Sequence, residues 1–228
     1  MINELLWAGS LLLSFILVMI AYWLFGKTGL YVWTAVAVIV ANIQVMKTVE
    51  IFGLVTALGT VTYSSLFLVT DILNENHSKK DAQKAVWIGF FVLLSTTVLM
   101  QITIYFIPDQ SDFISEELTK VFSLLPRLAL ASLVAYLISQ HHDVWFFARL
   151  KIKHKSKHLW LRNNLSTIIS QTVDNIVFTL IAFVGVFSWE IIGQIFFVSL
   201  LMKVVVATCD TPFVYWARKI NSGQKMTS

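Results

Sequence analysis

The segment Leu5–Phe25 reads LLWAGSLLLSFILVMIAYWLF and contains no charged residue. At a rise of about 1.5 Å per residue, a helix of this length spans the roughly 30 Å of hydrocarbon in a bilayer. The segment has no basic stretch before it and no small-residue cleavage site after it, and it is too long for the core of a signal peptide. We therefore predict a retained transmembrane helix.

Further apolar segments of similar length follow along the whole chain. Hydrophobic residues make up 57% of the sequence and charged residues 13%, and the mean hydropathy is +0.75, outside the range of ordinary soluble domains. We predict an all-α integral membrane protein, with residues 1–228 forming a single compact bundle of six to seven transmembrane helices. Lys47 shortens the second segment, so six and seven spans both remain open. The segments after Leu5–Phe25 are Leu30–Met46, Val55–Leu73, Ala85–Ile107, Phe122–Phe147, Leu165–Phe187 and Ile191–Trp216.

The basic residues predict the orientation, because short cytoplasmic loops retain Lys and Arg. Seven spans with the N-terminus outside place 13 of the 17 basic residues on the cytoplasmic side of the plasma membrane. The connection from Asp109 to Glu117, which is acidic, lies on the other side. The isoelectric point of about 9.2 then reflects a basic loop, Arg149–Arg162, that faces anionic lipid rather than nucleic acid. The 13 residues are Lys27, Lys79, Lys80, Lys84, Arg149, Lys151, Lys153, Lys155, Lys157, Arg162, Arg218, Lys219 and Lys225.

Polar residues inside the apolar segments indicate where a solute could bind, because such groups are costly unless they are paired or line a cavity. In the third segment, four residues at four-residue spacing share one helical stripe: Tyr63, Phe67, Asp71 and Glu75. In the sixth segment, one face carries Gln171, Asp174, Asn175 and Phe178. The other segments add Asn42, Gln44, Lys47, Arg127, Lys203 and Asp210. We expect these groups to line a cavity between the second, third, sixth and seventh segments.

A structural role for these groups is the alternative. A buried Asp174 could simply pair with Lys203 and hold helices together. Asp71 and Glu75, near a helix end, could be solvated partners of Lys79 and Lys80. The aromatic side chains, taken singly, are more often packing residues than ligand-stacking residues.

The sequence does not favour an enzyme. It contains no phosphate-binding GxxxxGK[ST] loop, no HExxH helix and no GxSxG motif. The single cysteine, Cys209, excludes an intramolecular disulfide and a Cys-based metal site. We therefore predict no catalytic residue, no cofactor and no metal.

Short motifs in both halves of the chain resemble the bacterial queuosine precursor transporters of the vitamin uptake transporter group. The resemblance covers roughly residues 30 to 216. Two departures stand out: Asn74-Glu75-Asn76-His77-Ser78 replaces the usual Ser-Glu-Val-Tyr-Gly, and Asn175 replaces a small hydroxyl residue. The matching positions are Ala41-Asn42-Ile43-Gln44, Lys47, Phe52-Gly53, Gly59-Thr60, Tyr63, Phe67, Thr70-Asp71, Glu75, Lys79-Lys80, Ala82, Gly89-Phe90, Arg127, Asp143, Leu161-Arg162-Asn163-Asn164, Ser166, Gln171, Asp174, Phe178, Phe183, Gly185, Lys203 and Pro212.

The resemblance implies import of a 7-deazaguanine: 7-cyano-7-deazaguanine, its aminomethyl analogue or queuine. Such a base offers adjacent N–H donors that a carboxylate accepts, and a flat ring that stacks on an aromatic side chain. We hypothesise that Asp174, with Asn175 or Gln171, binds the ring edge while Tyr63 or Phe67 stacks on the ring. Lys203, Asn42 and Lys47 are the next candidates.

The mode of energisation stays open at this point. Passive entry, ion coupling through Asp71 or Glu75, and an external ATPase module as a partner all fit, as does a homo-oligomer. Two alternatives to a transporter of this kind are the substrate-binding subunit of an energy-coupling-factor system and a non-transporting membrane protein.

Overall fold

The computed structural model describes residues 1–153 and 159–227, and this part of the chain is mainly helical, as the sequence predicts. By length and composition, Ile2–Gln44, Lys79–Ile104 and Ser115–Ser139 could each cross a membrane. Residues 154–158 of the predicted lipid-facing basic loop lie outside the described residues. In chain order the elements are α1 (Ile2–Gln44), β1 (Thr48–Ile51), β2 (Leu54–Ala57), α2 (Gly59–Asn76), α3 (Lys79–Ile104), α4 (Ser115–Phe122), α5 (Leu125–Lys153), α6 (Leu159–Phe183), α7 (Trp189–Cys209) and α8 (Thr211–Thr227).

Helix α1 breaks at Gly26, between the first two predicted segments. Gly26 has φ 56° and ψ −141°, a conformation that residues with a Cβ rarely adopt. The chain then turns back sharply, so that Gly29 packs closely against Ala21. A Cβ added at Gly29 would lie 2.0 Å from the carbonyl oxygen of Ala21. The Asn3 amide donates to the carbonyl oxygen of Glu50 at 3.1 Å, so the start of α1 lies beside the strand that follows its end. The two halves of α1 are therefore antiparallel.

A β-hairpin that the sequence analysis did not predict joins α1 to α2. Strands β1 and β2 are antiparallel, with Thr48 opposite Ala57 and Ile51 opposite Leu54. The two loop residues, Phe52 and Gly53, both have positive φ, at 52° and 77°. This is the backbone twist that two-residue hairpin loops favour.

The chain divides into two compact units, one of residues 1–126 and 201–228 and the other of residues 127–200. In the first unit, both halves of α1 contribute fully buried side chains, among them Phe15, Tyr22 and Leu30, and α2 contributes Leu68 and Ile72. The organisation of the whole chain as a single transmembrane domain stays a prediction.

Large apolar side chains are exposed along the long helices. Leu6, Trp23, Phe91 and Leu99 are between 62% and 71% exposed. A soluble protein rarely exposes so much contiguous apolar surface, whereas a bilayer solvates it with hydrocarbon. This pattern fits a multi-pass membrane protein.

The last predicted segment, Ile191–Trp216, consists of two helices that meet at Asp210. The carbonyl oxygen of Asp210 accepts hydrogen bonds from the N–H groups of Phe213 at 2.9 Å and Val214 at 3.0 Å, which start α8. Asp is a favoured residue at the N-terminal cap of a helix. The polar residue thus coincides with the interruption between α7 and α8.

Candidate functional site

The predicted stripe on α2 lies on the face of the helix that its own unit leaves accessible. Tyr63, Asp71 and Glu75 are exposed and Phe67 is partly buried, whereas the opposite face is buried through residues such as Leu68. The rings of Tyr63 and Phe67 meet edge to face, with centroids 6.2 Å apart. The four-residue spacing therefore produces a continuous surface that leads from two aromatic rings to two carboxylates.

A pocket of about 510 Å³ opens at the carboxylate end of this stripe. Asp71 and Asp210 both contribute carboxyl groups to it. Asp210 is only 5% exposed. Glu75 and Arg218 form an ion pair at 3.5 Å. We call this site the α2–α8 pocket; its lining residues are Asp71, Asn74, Glu75, Asp210, Val214, Tyr215 and Arg218.

Three predicted residues at the end of α1 lie away from this pocket. The Asn42 amide donates to the carbonyl oxygen of Val38 at 2.8 Å, within its own helix. Gln44 accepts a hydrogen bond from the Thr62 hydroxyl at 2.7 Å, near the start of α2. Lys47 is exposed beside the hairpin. Thr62 precedes Asp71 by nine residues, or about 14 Å along a helix, so the structure does not bring this group together with Asp71 and Glu75.

The predicted residues of α6 lie in the second unit. Asn175 is 3% exposed; its amide donates to the carbonyl oxygen of Phe196 at 3.1 Å and accepts from the Ser199 hydroxyl at 3.0 Å. Asp174 is partly buried, and Ser139 donates to it over a longer distance of 3.4 Å. Gln171 is also partly buried. Asn175 is thus anchored within its unit.

Two basic residues that the sequence analysis placed inside apolar segments have different surroundings. The Arg127 guanidinium donates to the carbonyl oxygens of Ile181, at 2.6 Å, and Val184, at the end of α6. Carbonyl groups at the C-terminal end of a helix lack a hydrogen-bond donor within that helix, so Arg127 supplies donors to the end of α6. Lys203 is partly buried on α7, in the part that belongs to the first unit.

The acidic connection between α3 and α4 borders a separate pocket of about 700 Å³. Hydrogen bonds from the N–H groups of Ile114 and Ser115 and from the Ser115 hydroxyl hold the pKa of Asp112 below its usual value. The pKa of Asp109 is likewise lowered, mainly by the Ser111 hydroxyl and N–H groups. These carboxylates order their own loop. Among the described residues, no group of three metal-ligating side chains is placed to hold a metal ion.

Tyr215 and Arg218 line the α2–α8 pocket but were not predicted as site residues from the sequence. Arg218 is among the basic residues that predict the membrane topology. The available signal was the four-residue spacing of Asp210, Val214 and Arg218, which continues the polar stripe from Asp210 along α8.

Comparison with known proteins places the chain in a family. Residues 57–217 match the family described as "Putative vitamin uptake transporter". The chain belongs to this vitamin uptake transporter family. The match covers α2 through the first part of α8, and it includes all the residues that line the α2–α8 pocket except Arg218.

Curated relatives of this vitamin uptake transporter family member carry consistent names. The chain is 40% identical over 229 aligned positions to a "Probable queuosine precursor transporter" of Bacillus subtilis, with 100% of both chains covered. It is 30% identical to a "Probable queuosine precursor transporter" of Haemophilus influenzae, over 65% of this chain and 62% of the relative. It is 26% identical to the "Queuosine precursor transporter" of Escherichia coli, over 63% of this chain and 62% of the relative. No solved structure matches the chain.

Proposed function

We propose that this chain is a bacterial membrane transporter that imports queuosine precursors for tRNA modification. The observation that carries the proposal is the 40% identity, over the full length of both chains, to a protein named as a probable transporter of these compounds. The apolar helices place the chain in the cell membrane, and its polar clusters supply the side chains that a polar heteroaromatic solute requires.

The solutes are 7-deazaguanines: 7-cyano-7-deazaguanine, 7-aminomethyl-7-deazaguanine or queuine. Each has a flat ring whose edge presents adjacent N–H donors, which suits a carboxylate acceptor. In the second unit we propose that Asp174 contacts this edge with the help of Gln171. The amide nitrogen and oxygen of Asn175 are both hydrogen-bonded within its unit, which argues against Asn175 in this role.

Genetic complementation tests the function. The chain is expressed in a bacterium that can neither synthesise 7-deazaguanines nor import them, and a precursor is supplied in the medium. We expect queuosine to reappear in tRNA, measured by mass spectrometry of tRNA nucleosides. If tRNA still lacks queuosine although the chain is present in the membrane, the proposal is wrong. An empty vector provides the baseline.

Uptake assays separate the modes of energisation. Passive entry brings labelled precursor to equal concentrations on both sides of the membrane and is insensitive to a protonophore. Proton-coupled entry accumulates the precursor inside the cell, and a protonophore abolishes this accumulation. Dependence on an external ATPase module predicts loss of uptake when the genes of that module are deleted. Crosslinking in membranes reports whether the chain forms a homo-oligomer.

A further inference from the structure

The α2–α8 pocket lies where the last predicted apolar segment is interrupted. α7 ends at Cys209 and α8 begins at Thr211, so backbone groups near Asp210 leave the regular helical hydrogen-bonding pattern. Within a membrane such an interruption is tolerated where it is buried in protein or lines a water-filled cavity. Transporters commonly bind solutes and coupling ions at interrupted helices of this kind. The pocket meets this description, because Asp210 itself lines it together with Val214, Tyr215 and Arg218 of the helix that follows.

The size and lining of the pocket suit a small polar heterocycle. Its volume of about 510 Å³ lies within the usual range for small-molecule sites, about 300–1,000 Å³. Asp71 and Asp210 supply acceptors, Asn74 and Arg218 supply donors, and Tyr215, which is 65% exposed, supplies an aromatic ring. This combination matches the three recognition needs of a guanine-like base: its N–H edge, its carbonyl oxygen and its ring face.

Asp71 and Asp210 both line the pocket, and Asp210 is 5% exposed. Their carboxyl groups together offer several oxygen atoms, which can accept two adjacent N–H donors, as in carboxylate recognition of a planar donor edge.

The ion pair at the rim allows Arg218 to take part in binding. The side chains of Glu75 and Arg218 are 48% and 65% exposed. An ion pair that is this accessible to solvent contributes at most about 1 kcal/mol, so little is lost when Arg218 turns from Glu75 to another acceptor. A ligand carbonyl oxygen inside the pocket is such an acceptor.

We propose that the α2–α8 pocket is a binding site for the base of the solute, in which Asp210 and Asp71 accept from its N–H edge, Arg218 donates to its carbonyl oxygen and Tyr215 packs on its ring. This inference rests on the proposed function and extends it, because it assigns binding roles to Asp210, Tyr215 and Arg218. It concerns the first unit alone and describes a contact that the base makes at a different stage of import from its contact with Asp174.

The test uses the full-length chain in cells and measures both affinity and selectivity. Labelled 7-cyano-7-deazaguanine is the transported probe, and an analogue without the 2-amino group is the competitor. For the wild type we expect the analogue to compete weakly, because it lacks one of the two donors that the carboxylates accept. For Asp210→Asn we expect a KM that is about 10- to 100-fold higher, as the loss of a charged hydrogen bond implies. The preference over the analogue should shrink as well.

Selectivity distinguishes a binding role from a structural one, since misfolding lowers the amount of active transporter without changing its preference between two solutes. Tyr215→Ala provides a second variant on an exposed side chain, and it should raise KM. Tyr215→Phe, which keeps the ring, should have the KM of the wild type. Glu116→Gln removes an exposed carboxylate on α4, outside the pocket, and should leave KM unchanged.

Wild-type KM and selectivity in Asp210→Asn would overturn the inference. If that variant is absent from the membrane, a wild-type KM in Tyr215→Ala overturns it instead. Both results presuppose a wild-type chain that imports the probe. A wild-type chain that imports none refutes the proposed function itself, so the two failures are distinguishable.

Discussion

Replacement of Asn175 by Leu tests whether this buried amide stabilises the second unit rather than binds solute. The change removes two hydrogen bonds, to the carbonyl oxygen of Phe196 at 3.1 Å and from the Ser199 hydroxyl at 3.0 Å. At about 0.5–1.5 kcal/mol for each hydrogen bond, the expected loss of stability is about 2 kcal/mol. For a chain of this length, that loss corresponds to a melting temperature lower by about 4–8 °C.

The measurement combines thermal unfolding in detergent with uptake kinetics normalised to the amount of folded transporter. Ser199→Ala removes only one of the two hydrogen bonds and should lower the melting temperature by about half as much. KM for the precursor should stay within about twofold of the wild type in both variants. A KM that rises tenfold in Asn175→Leu while its melting temperature is unchanged would refute the structural role and return Asn175 to the solute site.

Three further substitutions test other parts of the structure. Asp174→Asn should abolish precursor uptake while an immunoblot shows the wild-type amount of chain in the membrane; normal uptake would remove Asp174 from the site. Gly59→Val should lower the melting temperature, because its Cβ would lie 2.3 Å from the carbonyl oxygen of Ala41 and overpacking costs about 1–3 kcal/mol. The control is Gly9→Ala, since a Cβ added at Gly9 has nothing within 4 Å. Equal melting temperatures in the two variants would contradict the close contact at Gly59. Arg127→Gln should destabilise the chain by about 3–6 kcal/mol, since two hydrogen bonds from a charged donor are lost at about 1.5–3 kcal/mol each. An unchanged melting temperature would show that Arg127 does not cap α6.

The helices were predictable because a single physical requirement governs them. A helix that spans a bilayer must be predominantly apolar over about 20 residues, and the sequence shows that directly in segments such as Leu5–Phe25. The hairpin was not predictable in the same way. Residues Leu54–Ala57 form a strand, but the apolar composition of this stretch runs without interruption into the following helix. Composition alone cannot separate a short strand from the first turn of a helix.

The candidate site was predictable where it depends on spacing within one helix. The stripe from Tyr63 to Glu75 follows from the helical repeat and needs no tertiary information. The partner of a polar side chain is different, because it depends on residues far away in the sequence. Gln44 is engaged by Thr62, and Arg127 by carbonyl groups 54 and 57 residues away. No local pattern distinguishes these engaged groups from groups that remain available to a solute.

The distinction between polar groups engaged within the protein and groups that line a pocket also explains the departure from the usual family pattern at residues 74–78. Asn76 and His77 both contact the hydroxyl of the fully buried Tyr22, each at 3.2 Å, and so fix the end of α2 against α1. Ser78 caps α3. Its hydroxyl accepts from the N–H of Asp81 at 3.2 Å. Glu75 agrees with the pattern, which leaves Asn74 as the replaced residue of this stretch that lines the α2–α8 pocket. Most of the departure therefore concerns how two helices are joined, and its bearing on the choice of precursor rests on the amide of Asn74.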